Sequence, residues 1–326
     1  MPVSSRTYPG GPKPRRGIPH GWINRLQSVL LLAAMAGLLG LCGWLIAGLA
    51  GLVWLAGVGA IAVLLAARVS PRLVLRMFRA RPLSPGEMPA LQRLVAELAG
   101  RAGLDRPPEI YLIGSRAMNA FSVGGREQGA VTVTSGLLRA LSMRELAGVM
   151  AHEISHLAHN DTRVMALADV MARLTRVMSL LGIGLLLLNL PLMAGGMAMP
   201  WSLVMLLTFA PTVVALLQLA LSRRREFGAD LEAARLSGDP RGLALALAKL
   251  ERHQGAFWED ILAPGRRSPD PSLLRTHPKT EDRIERLMAL EPGLSAQEWP
   301  DDTAPHYHSV PEVRRAPRWH RTGVWY

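Results

Sequence analysis

The sequence predicts a mainly helical protein with one small β-sheet, in which a soluble metal-binding part is interrupted by two membrane-spanning helical hairpins. Three observations predict this. Two long stretches, Leu26 to Val69 and Val177 to Leu221, are apolar and carry no charge except Arg68 near the end of the first. Short strand-like runs lie between them. Directly after those runs comes Ala151-His152-Glu153-Ile154-Ser155-His156-Leu157, which contains the spacing H-E-x-x-H.

Composition agrees. The chain has 326 residues, 49% of them hydrophobic, and a mean hydropathy of +0.19, high for a water-soluble protein. Its net charge is +12. Much of that excess lies beside the apolar runs, which fits the positive-inside pattern of membrane proteins better than a nucleic-acid groove, and no nucleic-acid partner is expected. The single cysteine, Cys42, sits inside an apolar run. It excludes an intramolecular disulfide and a cysteine-based metal site.

In chain order, residues 1–26 are rich in Pro, Gly and basic side chains, and disorder is expected there. The apolar stretch that follows is far too long for a signal peptide. It suffices for two spans of about 20 residues, residues 27–69 forming a hairpin that turns near Ala47–Gly51. Gly43, Ala47 and Gly51 fall at the small-xxx-small spacing that lets helices approach closely. One long span is the alternative. Arg68, Arg72, Arg76, Arg79 and Arg81 follow at once, so both ends of the hairpin are basic and are expected in the cytoplasm.

A soluble part opens at Pro82 and, with the preceding basic stretch, forms residues 70–176. Leu91, Leu94, Val95 and Leu98 make a helical stripe suited to the core. Glu109–Ile113, Asn119–Gly124 and Ala130–Thr134 read as strands of a small sheet. Asn119, Ala120 and Phe121 open a strand that could hold a peptide by backbone pairing; supporting the next helix is an equally good reading. Ser142 with Glu145 three residues on reads as a capping box, starting that helix near Met143.

Within residues 177–221, Pro191, Gly195, Gly196 and Pro200 cluster in the middle and predict a second membrane hairpin, short in its first arm. Arg223, Arg224 and Arg225 close it. Both hairpins then return to one face, keeping the soluble pieces together. In the second soluble piece, residues 222–291, Asp239-Pro240 caps a helix whose Leu243, Leu245, Leu247 and Leu250 are expected in the core. Residues 292–326 lack a helical period and read as a disordered tail, the alternative being interfacial contact through Arg314, Arg315, Trp319, Arg321, Trp325 and Tyr326.

The chemistry centres on H-E-x-x-H. On a helix, His152 and His156 project from one face a turn apart, so two imidazole nitrogens can meet one metal ion. Glu153 lies one step round and can reach a water on that ion without binding it. A catalytic zinc takes three protein ligands and leaves one position open. A histidine six residues after His156 would supply the third, but Thr162 stands there. Between Glu153 and Glu226 the acidic residues are Asp161 and Asp169. Glu226 and Asp230 share a helix face. Either Glu226 binds the metal while Asp230 orients a ligand histidine or a nearby arginine, or the two merely balance three arginines; the upstream motif favours the first. Zinc is preferred on ligand type.

H-E-x-x-H, a membrane hairpin, and then R-E-x-x-A-D resemble the HtpX-like membrane metalloproteases, relatives of the CAAX prenyl proteases. The likeness extends to Asn119-Ala120-Phe121 as a substrate-side strand, to Val131–Leu138, and to Thr276-His277-Pro278 with Arg283. It covers about residues 70–290. The resemblance implies a gluzincin-like zinc endopeptidase with Glu226 as third ligand, Glu153 as base, and His277 and Arg283 near the site to stabilise the oxyanion. It also implies membrane or membrane-adjacent protein substrates and a quality-control role in the bacterial inner membrane. Activity on prenylated peptides is a weaker option within the same chemistry. The rival class, a non-catalytic zinc-binding membrane scaffold or transporter, calls for polar groups along a path through the spans. The apolar blocks offer little beyond Asn189 and Gln218.

Overall fold

A computed structural model describes residues 20–68, 71–84, 86–194, 201–261 and 279–290. The sequence-predicted residue His277, the Gly195-Gly196 bend, Pro200 and the tail 292–326 lie outside the described residues.

Helix α1, His20–Arg68, is broken at Ala47 and Gly48, where the backbone leaves helical angles and Gly48 takes φ of +57°. The chain folds back there, within the Ala47–Gly51 stretch where the turn is expected. A Cβ on Gly51 would sit 2.0 Å from the carbonyl oxygen of Gly43, so the two arms touch backbone to backbone. At 1.5 Å per residue the arms before and after the break are about 40 and about 30 Å long, each enough to cross a bilayer's hydrocarbon core. Gly51→Val forces the arms apart and is expected to cost about 1–3 kcal/mol, read as a lower Tm of the detergent-solubilised protein. The helix begins at His20, inside the segment expected to be disordered, because its hydrogen-bonded ladder runs on past the apolar stretch.

Two further long helices, α6 (Asp161–Ala194) and α7 (Trp201–Ser237), form the second hairpin. They run antiparallel: Gly182 lies against Leu207, and Asp169 accepts a hydrogen bond from Gln218 at 2.5 Å. The first arm of α1 packs on them, burying Met35 with Ala168, Val214 and Leu221, and Cys42 with Leu207 and Ala210. The second arm leaves Leu49 and Trp54 largely exposed, 72% and 75%. Such a surface suits hydrocarbon as its solvent. Among the described residues, α1 and α7 are long and apolar enough to cross a membrane.

Beside this bundle stands the second layer. Its sheet comprises β1 (Arg81–Pro82), β2 (Glu109–Ile113), β3 (Ala120–Gly124) and β4 (Gly129–Thr134), in the order β1-β2-β4-β3. β2 and β4 are parallel; β3 pairs antiparallel with β4, with Phe121 opposite Thr132. β3 is therefore an edge. One sheet face, with Val131 and Val133, packs into a core shared by α3 (Pro89–Arg101), α4 (Ser135–Ala140), α5 (Met143–His159), α8 (Pro240–Ile261) and α9 (Thr280–Leu290). The other face is covered by α2 (Pro71–Met77) through Leu75.

α5 runs through the middle of that core. Ser142 and Glu145 close the capping box as predicted: the Ser142 amide donates to the Glu145 carboxylate at 2.8 Å, and Ser142 Oγ accepts from the Glu145 amide. Gly148 lets α8 approach, since a Cβ there would meet the Leu243 backbone at 2.7 Å. α8 starts where Asp239 caps it by accepting from the Gly242 amide. Leu243 and Leu247 are buried, but Leu245 is 42% exposed, correcting its expected core position. Two residues on from Leu243, a helix has turned about 200°, which puts Leu245 on the outer face.

Candidate metal centre

α5 ends at Asn160, whose left-handed φ of +54° stops the helix just after its second histidine. Asn160 Oδ1 accepts from the Arg126 amide, and His159 Nδ1 contacts the Ser155 carbonyl, so both residues serve the structure. The break redirects the chain into α6 and swings Asp161 back towards the end of α5. There Asp161 Oδ2 lies 2.8 Å from His156 Nδ1. On an unbroken helix the two residues, five apart, would point away from each other.

α7 continues past its apolar part into the core and delivers Glu226 and Asp230 on one face, both buried. Glu226 Oε2 is 3.5 Å from His152 Nε2, and Oε1 is 3.6 Å from His156 Nε2. The two Nε2 atoms are 3.1 Å apart. Asp230 Oδ1 lies 3.0 Å from His152 Nδ1, in ion-pair range though off the ideal N–H direction. From α9, Arg283 grips Asp230 with two bonds of 2.8 and 2.7 Å, and its Nη1 is 3.4 Å from Glu226 Oε2. Arg225 donates to the second Asp161 oxygen at 2.5 Å. Each histidine is thus backed by a carboxylate, and each carboxylate by an arginine.

This arrangement fits a metal ion. One ligand atom from each of His152, His156 and Glu226 can be chosen so that all lie within 4.8 Å of one another. Ligands 2.0–2.1 Å from a tetrahedral zinc sit roughly 3.3–3.4 Å apart, close to the separations observed. With a proton on each Nδ1 facing its carboxylate, the two Nε2 lone pairs and the Glu226 carboxylate converge on one point. Negative charge so focused and buried calls for a cation.

Burial works against charge on His152, but hydrogen bonding to Asp230 and Glu226, with their negative charge, overcomes it and pushes its pKa up to about 10 from 6.5. His156 shifts upward too, against its own burial, chiefly through Asp161. In the metal-free protein, a raised folded-state pKa adds stability that is whole below 6.5 and is lost as pH rises through about 10. Thermal unfolding of chelator-treated protein should therefore show Tm falling across that window, and His152→Gln should flatten the fall.

Of the residues singled out from sequence, His152, Glu153, His156, Glu226, Asp230 and Arg283 come together in one cluster, all of them buried except His156, which is partly exposed. Glu153 is close enough for its charge to be felt at both His156 and Arg283. Ala120 and Phe121 open the edge strand that packs against α5, and Asn119 stands directly before it. The Asn119 backbone is tied to Thr134, its amide to the hydroxyl and its carbonyl to the amide. Sequence reasoning missed Asp161 and Arg225. The available signals were the scarcity of acids after the motif and an arginine directly before Glu226.

The fold and this cluster define a membrane-associated metallopeptidase of the H-E-x-x-H type. The sequence profile of Peptidase family M48 matches residues 85–291. A protease HtpX homolog of Nostoc punctiforme is 35% identical over 289 residues, 83% of this chain and 98% of its own length. One from Ralstonia pickettii is 36% identical over 293 residues, 82% and 96% of the two chains. The crystal structure of S. mikatae Ste24p overlaps 83% of this chain and 66% of its own with a TM-score of 0.47 and 20% identity. The chain belongs to peptidase family M48.

Proposed function

We propose that this protein is a zinc endopeptidase of the inner bacterial membrane that cleaves membrane or membrane-adjacent proteins at the cytoplasmic face, in protein quality control. The observation that carries the chemistry is the convergence of His152, His156 and Glu226 on one point, each held by a further buried charge. The orientation rests on the basic residues at both hairpin ends. Protein cleavage is supported by the likeness to protease HtpX homologs, and the membrane substrates and quality-control role rest on the sequence resemblance alone.

In this reading His152, His156 and Glu226 hold the zinc. Bound there, the ion supplies a Lewis acid that lowers the pKa of water towards about 7 and polarises a carbonyl. Glu153 takes a proton from the attacking water and passes it to the departing amine. β3 offers its open edge to an extended substrate backbone, with Asn119, Ala120 and Phe121 at the end where the strand begins. Asp230 orients His152. Arg283, committed to Asp230 and Glu226, acts through them as a positioning residue; the expected oxyanion role for it and His277 rests on the resemblance alone.

Asp161 orients His156 in the same way. Asp161→Asn should lower metal affinity about 10–100-fold, read by competition with a chromophoric chelator, while the fold persists by circular dichroism. Unchanged affinity would reduce Asp161 to a helix-end contact. The function itself is tested by metal analysis of purified protein together with casein cleavage in the presence and absence of chelator. Stoichiometric zinc and chelator-sensitive cleavage support it. Metal without cleavage points to the scaffold reading, and neither metal nor cleavage overturns the site.

A further inference from the structure

α2 has two faces that ask for two different surroundings. Its inner face buries Leu75 against Tyr111 of β2 and Ala130 of β4, beside Val123 of β3. Just past its end, Phe78 stacks at a tilt on Phe121, ring centroids 5.1 Å apart. Its outer face carries Leu73 and Met77, one turn apart and 53% and 57% exposed. Beside them on the helix surface are Arg72 and Arg76, also a turn apart and exposed. From Arg68 to Gly86 the chain has five arginines and no acidic residue.

The location of α2 selects what covers that outer face. The helix starts three residues after α1 ends at Arg68, a distance of at most about 11 Å even when fully extended. If α1 spans the bilayer, α2 therefore begins within or next to the headgroup layer. A short helix with large apolar side chains flanked by arginines suits that layer: the apolar groups enter the acyl boundary, and the guanidinium groups meet phosphates.

We propose that α2 is a membrane-surface helix whose Arg72 and Arg76 bind anionic phospholipid headgroups and whose Leu73 and Met77 enter the acyl boundary, holding the edge strand β3 at the bilayer surface. The proposal rests on the membrane reading of α1. Through Leu75 and Phe78, lipid contact on one side of α2 is transmitted to the strand on the other, which places a membrane-borne substrate and its pairing edge at the same height.

The test uses the full chain, Cys42→Ser, in nanodiscs of phosphatidylcholine with or without phosphatidylglycerol. A nitroxide is attached through Leu73→Cys or Met77→Cys. Trp54→Cys on the outer arm of α1 gives the lipid reference, and Glu97→Cys on α3 the aqueous one. Collision with oxygen relative to a water-soluble nickel chelate reports immersion. Positions 73 and 77 should show a ratio several-fold above position 97, rising with phosphatidylglycerol, and Arg72→Gln/Arg76→Gln should remove that rise. A ratio like that of position 97, with position 54 immersed, overturns the proposal and leaves the membrane reading standing. Position 54 in water overturns both. Immersion that ignores phosphatidylglycerol overturns the anionic-headgroup assignment.

Discussion

Glu153→Gln is expected to keep its metal and lose its cleavage. Glutamine has the size and hydrogen-bonding reach of glutamate but cannot accept the proton of the attacking water. Because Glu153 is not among the three converging ligand residues, metal content should match the parent protein. Removing a positioned general base costs about 10²–10⁴-fold in rate, or about 2.7–5.4 kcal/mol of transition-state stabilisation. Atomic absorption on the purified variant, paired with casein hydrolysis, checks both halves. Cleavage within a few-fold of the parent would remove Glu153 from the mechanism. Loss of metal would mean that it belongs to the ligand set after all.

The second large effect is expected at Glu226→Gln. The substitution takes away the negative charge facing two histidines and Arg283. Metal affinity should fall by more than the roughly 10–100-fold typical of outer-shell partners, and cleavage should fall with it. Asp230 retains both of its bonds from Arg283, so α9 stays docked, and below about pH 10 the Tm of the metal-free variant should fall below that of the metal-free parent by the share of the His152 stabilisation that Glu226 supplies. A variant that binds metal as tightly as the parent would turn Glu226 into a mere counter-charge for Arg283. The contrast between the two substitutions separates base from ligand: one leaves the metal and removes the rate, the other removes both.

Much of this molecule is legible one stretch at a time. The capping box at Ser142 and Glu145, the proline after Asp239, the alternating runs of the sheet and the glycines of the first hairpin all act within a few residues or within one hairpin. Local geometry decides them, and the structure has them where they were expected. Leu245 shows the limit of composition without phase: a leucine in an Ala-Leu-rich helix still faces outward when its angle points that way.

What the sequence determined by itself is the chemistry available: two histidines a turn apart with a glutamate between them, two apolar blocks, and a scarcity of acids that left few candidates for a third ligand. The tertiary structure alone decided which carboxylates stand behind the histidines. Asp161 reaches His156 because Asn160 ends α5 in a left-handed turn. Glu226 reaches both histidines, and Asp230 reaches His152, because α7 returns from the second hairpin beside α5. Arg283 reaches Asp230 because α9 packs across them. A helical period places residues on their own helix; it carries no information about where another helix will cross it, which the packing of the shared core settles.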